Sequence, residues 1–158
     1  MLSPIVFLFL ICGGALSGPT RGSCDCIRLR RPQSPATEVQ AEVKHADVVF
    51  LGRVVAITDT SVAGSPSTVY GRSAHRIVVR VDSLWKGSEA DSLVVWTECD
   101  YPFQVDSSYV IFANQQHSAL WTRKHAALWT GICSLTQSRS TAETYIRALG
   151  TPKFSRRS

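Results

Sequence analysis

Three features of this chain together predict a mainly β fold, a five-stranded Greek-key barrel with a short N-terminal helix and a C-terminal helix. Four segments rich in β-branched and aromatic residues fill its middle. A helix-start pattern stands on either side of them. Cysteines at both ends and in the middle suit an exported domain too small to rest on its hydrophobic core alone.

The chain opens on LSPIVFLFLICGGAL, residues 2 to 16, which carries no charge. That run is shorter than the roughly 20 apolar residues a membrane span needs, and it has the length of a signal-peptide core. Residues 1–22 are therefore expected to be a signal peptide, cut somewhere from 17 to 23. Small residues allow cleavage after Ser17 or Gly22, which leaves one to six residues ahead of Cys24. Arg21 opposes a cut directly before Cys24 and a lipoprotein-type signal there. The expected product is secreted, extracellular or periplasmic, with no membrane span once the leader is gone. About 135 residues then remain, enough for a single domain over 24–150 followed by a basic tail over 151–158.

Thr37 to Gln40 has the form of a capping box, with Val39 and Val43 on one face behind it, and predicts the first helix. The strands follow at Asp47–Ile57, His75–Trp85, Ser92–Thr97 and Ser108–Ala113, with a fifth between Ala119 and Thr130. In the second, Ile77, Val79 and Val81 fall on one face and Arg80 and Asp82 on the other, the period of two of a half-buried strand. Gly64, Pro66 and Gly71 mark a long loop between the first two strands, and Lys86-Gly87 a turn after the second. A second capping box, Ser140 to Glu143, precedes Ala142, Ile146 and Leu149 on one face, and Gly150 and Pro152 end that helix. Among small Greek-key barrels with five strands the OB-fold is the common form.

Composition narrows the function classes. The net charge is +5, but the basic residues sit in small clusters, Arg28/Arg30/Arg31, Arg123/Lys124 and Arg156/Arg157, without interleaved glycine-aromatic motifs. A solvated face explains them, and no nucleic-acid partner is expected. The four histidines, His45, His75, His117 and His125, are scattered and form no HExxH. No metal site of the chain's own, no cofactor and no catalytic residue is expected: there is no GxSxG, phosphate loop or ligand cluster, and the chain reads as a non-enzyme. Cys24, Cys26, Cys99 and Cys133 survive removal of the leader and are read as two disulfides. A bond between Cys24 and Cys26 would close a small strained ring, so two connectivities remain open.

The CxC opening, the short helix, ADVVFLGRVV, a strand ending in LWKG, a cysteine inside TECD, the strand SYVIFA, a cysteine in GICSLT and a final helix, in that order, resemble the tissue inhibitors of metalloproteinases and the wider netrin-like modules built on an OB barrel. The resemblance spans nearly all of the mature chain. It implies pairing of Cys24 with Cys99 and of Cys26 with Cys133. It also implies a protease-contact ridge made of Cys24, Asp25, Cys26, Thr97 and Glu98, in which the free α-amine and carbonyl of Cys24 ligate the catalytic zinc of a partner metalloprotease. An α-amine with a pKa of ~8 is partly deprotonated at neutral pH, so the chemistry is available, but any residue ahead of Cys24 acylates the nitrogen and removes the ligand. Asp25 carries a charge into a specificity pocket that is usually apolar, at a desolvation cost of several kcal/mol, and Glu98 adds a second. Both features predict weak inhibition, or none, by the natural form. The alternative is a monomeric binding module without inhibitory action, taking an extracellular protein or a polyanionic surface on Trp121, Arg123, Lys124 and Trp129, unless those tryptophans are core.

Overall fold

A computed structural model describes residues 34–60, 74–97, 103–116, 127–131 and 133–156. The chain is mainly β. Helix α1 (Pro35–His45) leads into β1 (Val48–Thr60), β2 (Ala74–Lys86), β3 (Ser92–Thr97), β4 (Ser108–Gln116) and β5 (Ala127–Trp129). The two-residue strand β6 (Gln137–Ser138), helix α2 (Glu143–Leu149) and the two-residue strand β7 (Phe154–Ser155) complete it. The first five strands pair in a closed ring: β1 with β2, β2 with β3, β3 with β5, β5 with β4, and β4 with β1. All of these pairs are antiparallel except β3 with β5.

The ring explains why β1 reads as continuously apolar rather than alternating. Phe50 and Val54 point inward, where they meet Ile77, Val79, Val81 and Leu84 of β2, Val95 of β3, Ile111 of β4 and Leu128 of β5. Val49 and Leu51 point outward with Val110 and Phe112 of β4, beneath a lid made by Val39 and Ala46 of the first helical segment and Ala142, Ile146 and Leu149 of the second. A strand buried on both faces has no polar side to display. Phe50 and Phe112 are each almost fully buried, on opposite faces of the wall, and burial of a side chain that size contributes roughly 2–3 kcal/mol.

β1 must serve two neighbours over the same stretch. Val48 to Arg53 pair with β4 while Val49 to Thr60 pair with β2, and the register with β2 slips at Val49/Phe50, Leu51/Gly52 and Val54/Ala56. Such bulges add local twist, which closure of a sheet requires.

The helices depart from the sequence reading at their starts. Ser34, not Thr37, caps α1: its Oγ accepts from Thr37 N at 3.2 Å, and Pro35 occupies the first helical turn. Proline has no N–H to leave unsatisfied there and its φ is already helical, which moves the start one turn upstream. Gln40 does not reach back to the cap either; its Nε2 donates to Ala148 O of α2 at 3.4 Å. At α2 the expected box with Ser140 as cap is absent. Ala142 is the cap residue, and its methyl group offers no acceptor to the first turn; the neighbouring Thr141 Oγ1 donates back to Ser138 O. Gly150 ends α2 at φ 71, the left-handed region glycine favours. Gly87 follows β2 at φ 110 with Val48 against it, as the turn there requires.

Strand edges also run further than expected. β1 and β2 extend as a ladder to Thr60↔Ala74 and β4 to Gln116; of the fifth strand the described residues hold Ala127–Trp129. The C-terminal segment is laid along β2 as β7, with Phe154 opposite Leu84 and packed on the core, and Arg156 paired with Asp91.

Candidate functional site

The sequence nominated two regions, the ridge and the tryptophan patch, and two of their residues, Thr97 and Trp129, are described. Thr97 is the last residue of β3 and pairs with His75 of β2. Its neighbours alternate: Val95 is buried inside the ring, Trp96 is half-buried, and Thr97 is fully buried again. The Thr97 side chain therefore faces inward, and its hydroxyl finds no hydrogen-bond partner among the described residues. A buried hydroxyl without a partner costs about 1–3 kcal/mol, which replacement by an apolar side chain of similar shape recovers. Thr97→Val is expected to raise the unfolding free energy by about 1 kcal/mol, read from urea denaturation; a loss of stability would show that the hydroxyl is bonded.

Trp129 is half-buried, outside the ring rather than in its core. Leu128 takes the inward position opposite Val95, so Trp129 and its parallel neighbour Trp96 both turn outward. Their rings stack with centroids 6.0 Å apart and planes inclined at 28°. Arg76 of β2 is opposite Trp96 and Asn114 of β4 is opposite Trp129, so the four residues form one row across four strands. Trp96 and Arg76 were not singled out by the sequence reading. The signal available was the parity of SLVVWT, in which a tryptophan between two inward positions must point out.

Cys133 is disulfide-bonded. It is the only cysteine among the described residues. Cys24, Asp25, Cys26 and Glu98 of the ridge, the disulfide cysteine Cys99, and Trp121, Arg123 and Lys124 of the patch lie outside the described residues.

The segment leading to Cys133 is held by buried hydroxyls. Between its pairings with β5 and β6, strand β4 has no strand neighbour at Phe112 on that side among the described residues. Thr130 Oγ1 donates to Phe112 O at 2.9 Å, and Phe112 N donates to Thr136 Oγ1 at 3.0 Å. Two threonines thus stand in for the missing ladder, as buried backbone polar groups demand. Thr130 N also donates to Trp96 O, tying this segment to β3.

At the far end of the β1/β2 ladder, His75 Nδ1 is 2.7 Å from Asp59 Oδ1. Asp59 is largely exposed, which limits the pair to a surface contribution of under about 1 kcal/mol. Among the described residues no three histidine, cysteine or carboxylate side chains gather as metal ligands would. Nor is any helix there long and apolar enough to cross a membrane. No known family model matches the chain, and no curated protein matches it either.

Proposed function

We propose that this chain is an exported, single-domain OB barrel of the tissue-inhibitor and netrin-like kind, pinned by disulfides, whose N-terminal ridge acts on zinc metalloproteases when the amine of Cys24 is free. The observation that supports the reading is the closed ring of five strands in the order β1-β2-β3-β5-β4, with its parallel closure between β3 and β5, which is in keeping with a five-stranded OB barrel. The disulfide-bonded state of Cys133 is in keeping with a Cys26–Cys133 bond, with Cys24 and Cys99 as the second pair. Thr97, buried and fixed in the β2/β3 ladder, gives the segment running into Glu98 and Cys99 a rigid point of departure.

The test turns on the amine. A protein trimmed to begin at Cys24 inhibits a zinc protease, and one alanine placed ahead of Cys24 abolishes inhibition by acylating the nitrogen. Asp25→Val in the trimmed form tightens it, because an unpaired carboxylate no longer enters the pocket. If both trimmed proteins leave a panel of zinc proteases untouched at micromolar concentration, the inhibitor reading fails.

The outward row of Arg76, Trp96, Trp129 and Asn114 favours a second reading, a non-inhibitory module that binds an extracellular partner through its barrel face. Aromatic side chains beside an arginine are common anchors of interfaces. On that reading Trp129→Ala abolishes partner capture and the alanine extension ahead of Cys24 changes nothing.

A further inference from the structure

An open groove of about 620 Å³ runs between the loop that precedes β4 and the turn that precedes α2. Gln104 and Ser108 line one wall, and Gln137, Arg139, Ser140 and Thr141 the other. Its volume falls in the range of small-ligand sites, roughly 300–1,000 Å³.

Both walls are fixed by backbone hydrogen bonds. On the loop side, Asp106 holds φ 66 while its N–H donates to Val54 O at 2.8 Å, and Val54 N donates to Ser107 O at 2.9 Å. On the other, Arg139 N donates to Ser108 O at 2.8 Å, which ties the turn to β4. At the base the Tyr109 hydroxyl accepts from Gln104 N at 3.0 Å. The site is therefore formed before a ligand arrives.

The hydroxyls of the turn can be assigned proton by proton. Thr141 Oγ1 donates to Ser138 O at 3.0 Å, which uses its one hydrogen. The 3.0 Å contact between Ser138 Oγ and Thr141 Oγ1 must then be a donation from Ser138. That leaves Ser140 as the donor in the 3.0 Å contact with Ser138 Oγ. All three hydrogens are spent within the turn, and what it offers outward is lone pairs, most freely on Ser140. Beside this acceptor face is Arg139, exposed, a pure donor, with no carboxylate in ion-pair range among the described residues.

We propose that the groove binds an acidic saccharide unit, a polyhydroxylated carboxylate of the uronate class. Its hydroxyls donate to the turn at Ser140 and Thr141 while its carboxylate pairs with the Arg139 guanidinium. The two halves of the site select together. Inorganic phosphate satisfies Arg139 but brings too few donors for the acceptor face, and a neutral hexose brings the donors without the charge. The proposal is independent of the ridge and of any protease.

The experiment maps backbone amide shifts of the folded, exported chain during titration with glucuronate, glucose and inorganic phosphate. Glucuronate is expected to shift the amides of 107–109 and 137–141 saturably, and glucose to do so at least about tenfold more weakly. Arg139→Gln brings glucuronate down to the glucose level and leaves glucose unchanged, and Arg139→Lys restores part of the difference. A glucuronate-ended oligosaccharide that binds more tightly than the free sugar places the source in a glycan chain; equal binding places it in the free acid. Phosphate acting as strongly as glucuronate would reduce the groove to a simple anion site and overturn the proposal. So would a folded chain whose groove amides do not move with glucuronate.

Discussion

Cys133→Ser is expected to lower the unfolding free energy by about 4 kcal/mol or more, a large part of the stability of a domain this size. Cys133 is disulfide-bonded, and every cysteine available to it closes a long loop. Pairing with Cys99 closes about 35 residues, worth roughly 4 kcal/mol of denatured-state entropy, and pairing with Cys26 closes about 110, worth nearly 5. The estimate thus hardly depends on the partner, whereas the connectivity does. Non-reducing peptide mapping is expected to link Cys133 with Cys26 and Cys99 with Cys24. A Cys26→Ser, Cys133→Ser pair that loses no more than Cys133→Ser alone would confirm that the two share one bond. Wild-type stability in Cys133→Ser would sink the view that the barrel depends on its staples.

The strands were legible because their inward positions are sharply apolar. Ile77, Val79 and Val81 announce β2 by parity, and SLVVWT coincides with β3 to the residue. What escaped the reading had no such signal. The far end of β1, Thr58 to Thr60, is polar, and pairing with the start of β2 carries the strand past Ile57. β6 and β7 are two residues each, too short to display any period. The cap of α1 was misplaced because Thr37–Gln40 and Ser34–Thr37 both fit a capping pattern. Only Pro35, at home in a first turn, decides between them.

The candidate sites were legible to a different degree. The spacing of the cysteines marks Cys133 without any structure, since covalent chemistry is carried by residue type. The orientation of Thr97 is not so marked: its inward turn follows from the register of β3 in the ring. The groove left still less trace. Ser138, Arg139, Ser140 and Thr141 form a polar run with no motif, and their proton bookkeeping depends on a turn whose geometry no local pattern specifies. Such a site arises from the meeting of two loops far apart in sequence.

Gly52→Ala should cost about 3 kcal/mol or more, although the residue stands in a strand where alanine is ordinarily harmless. A Cβ built there falls 2.5 Å from Arg80 O and 2.6 Å from Val79 Cγ1, both closer than real Cβ atoms come. The first of these is backbone in the β1/β2 ladder, so relief requires the two strands to part. They cannot do so freely, because Gly52 is also paired with Tyr109 of β4 on the other side, directly after a register slip. Closing the ring presses β1 against both neighbours here, and only a residue without a side chain fits. The gain from stiffening the unfolded chain, about 0.4–1 kcal/mol for Gly→Ala, offsets little of this. Gly131→Ala is the control: no described residue lies within 4 Å of its Cβ, and a change within about 0.5 kcal/mol is expected. In thermal unfolding the difference between the two variants corresponds to roughly 10 °C in Tm. If Gly52→Ala instead melts with Gly131→Ala, β1 is not pinned between two strands at this point, and the closed ring itself is in question.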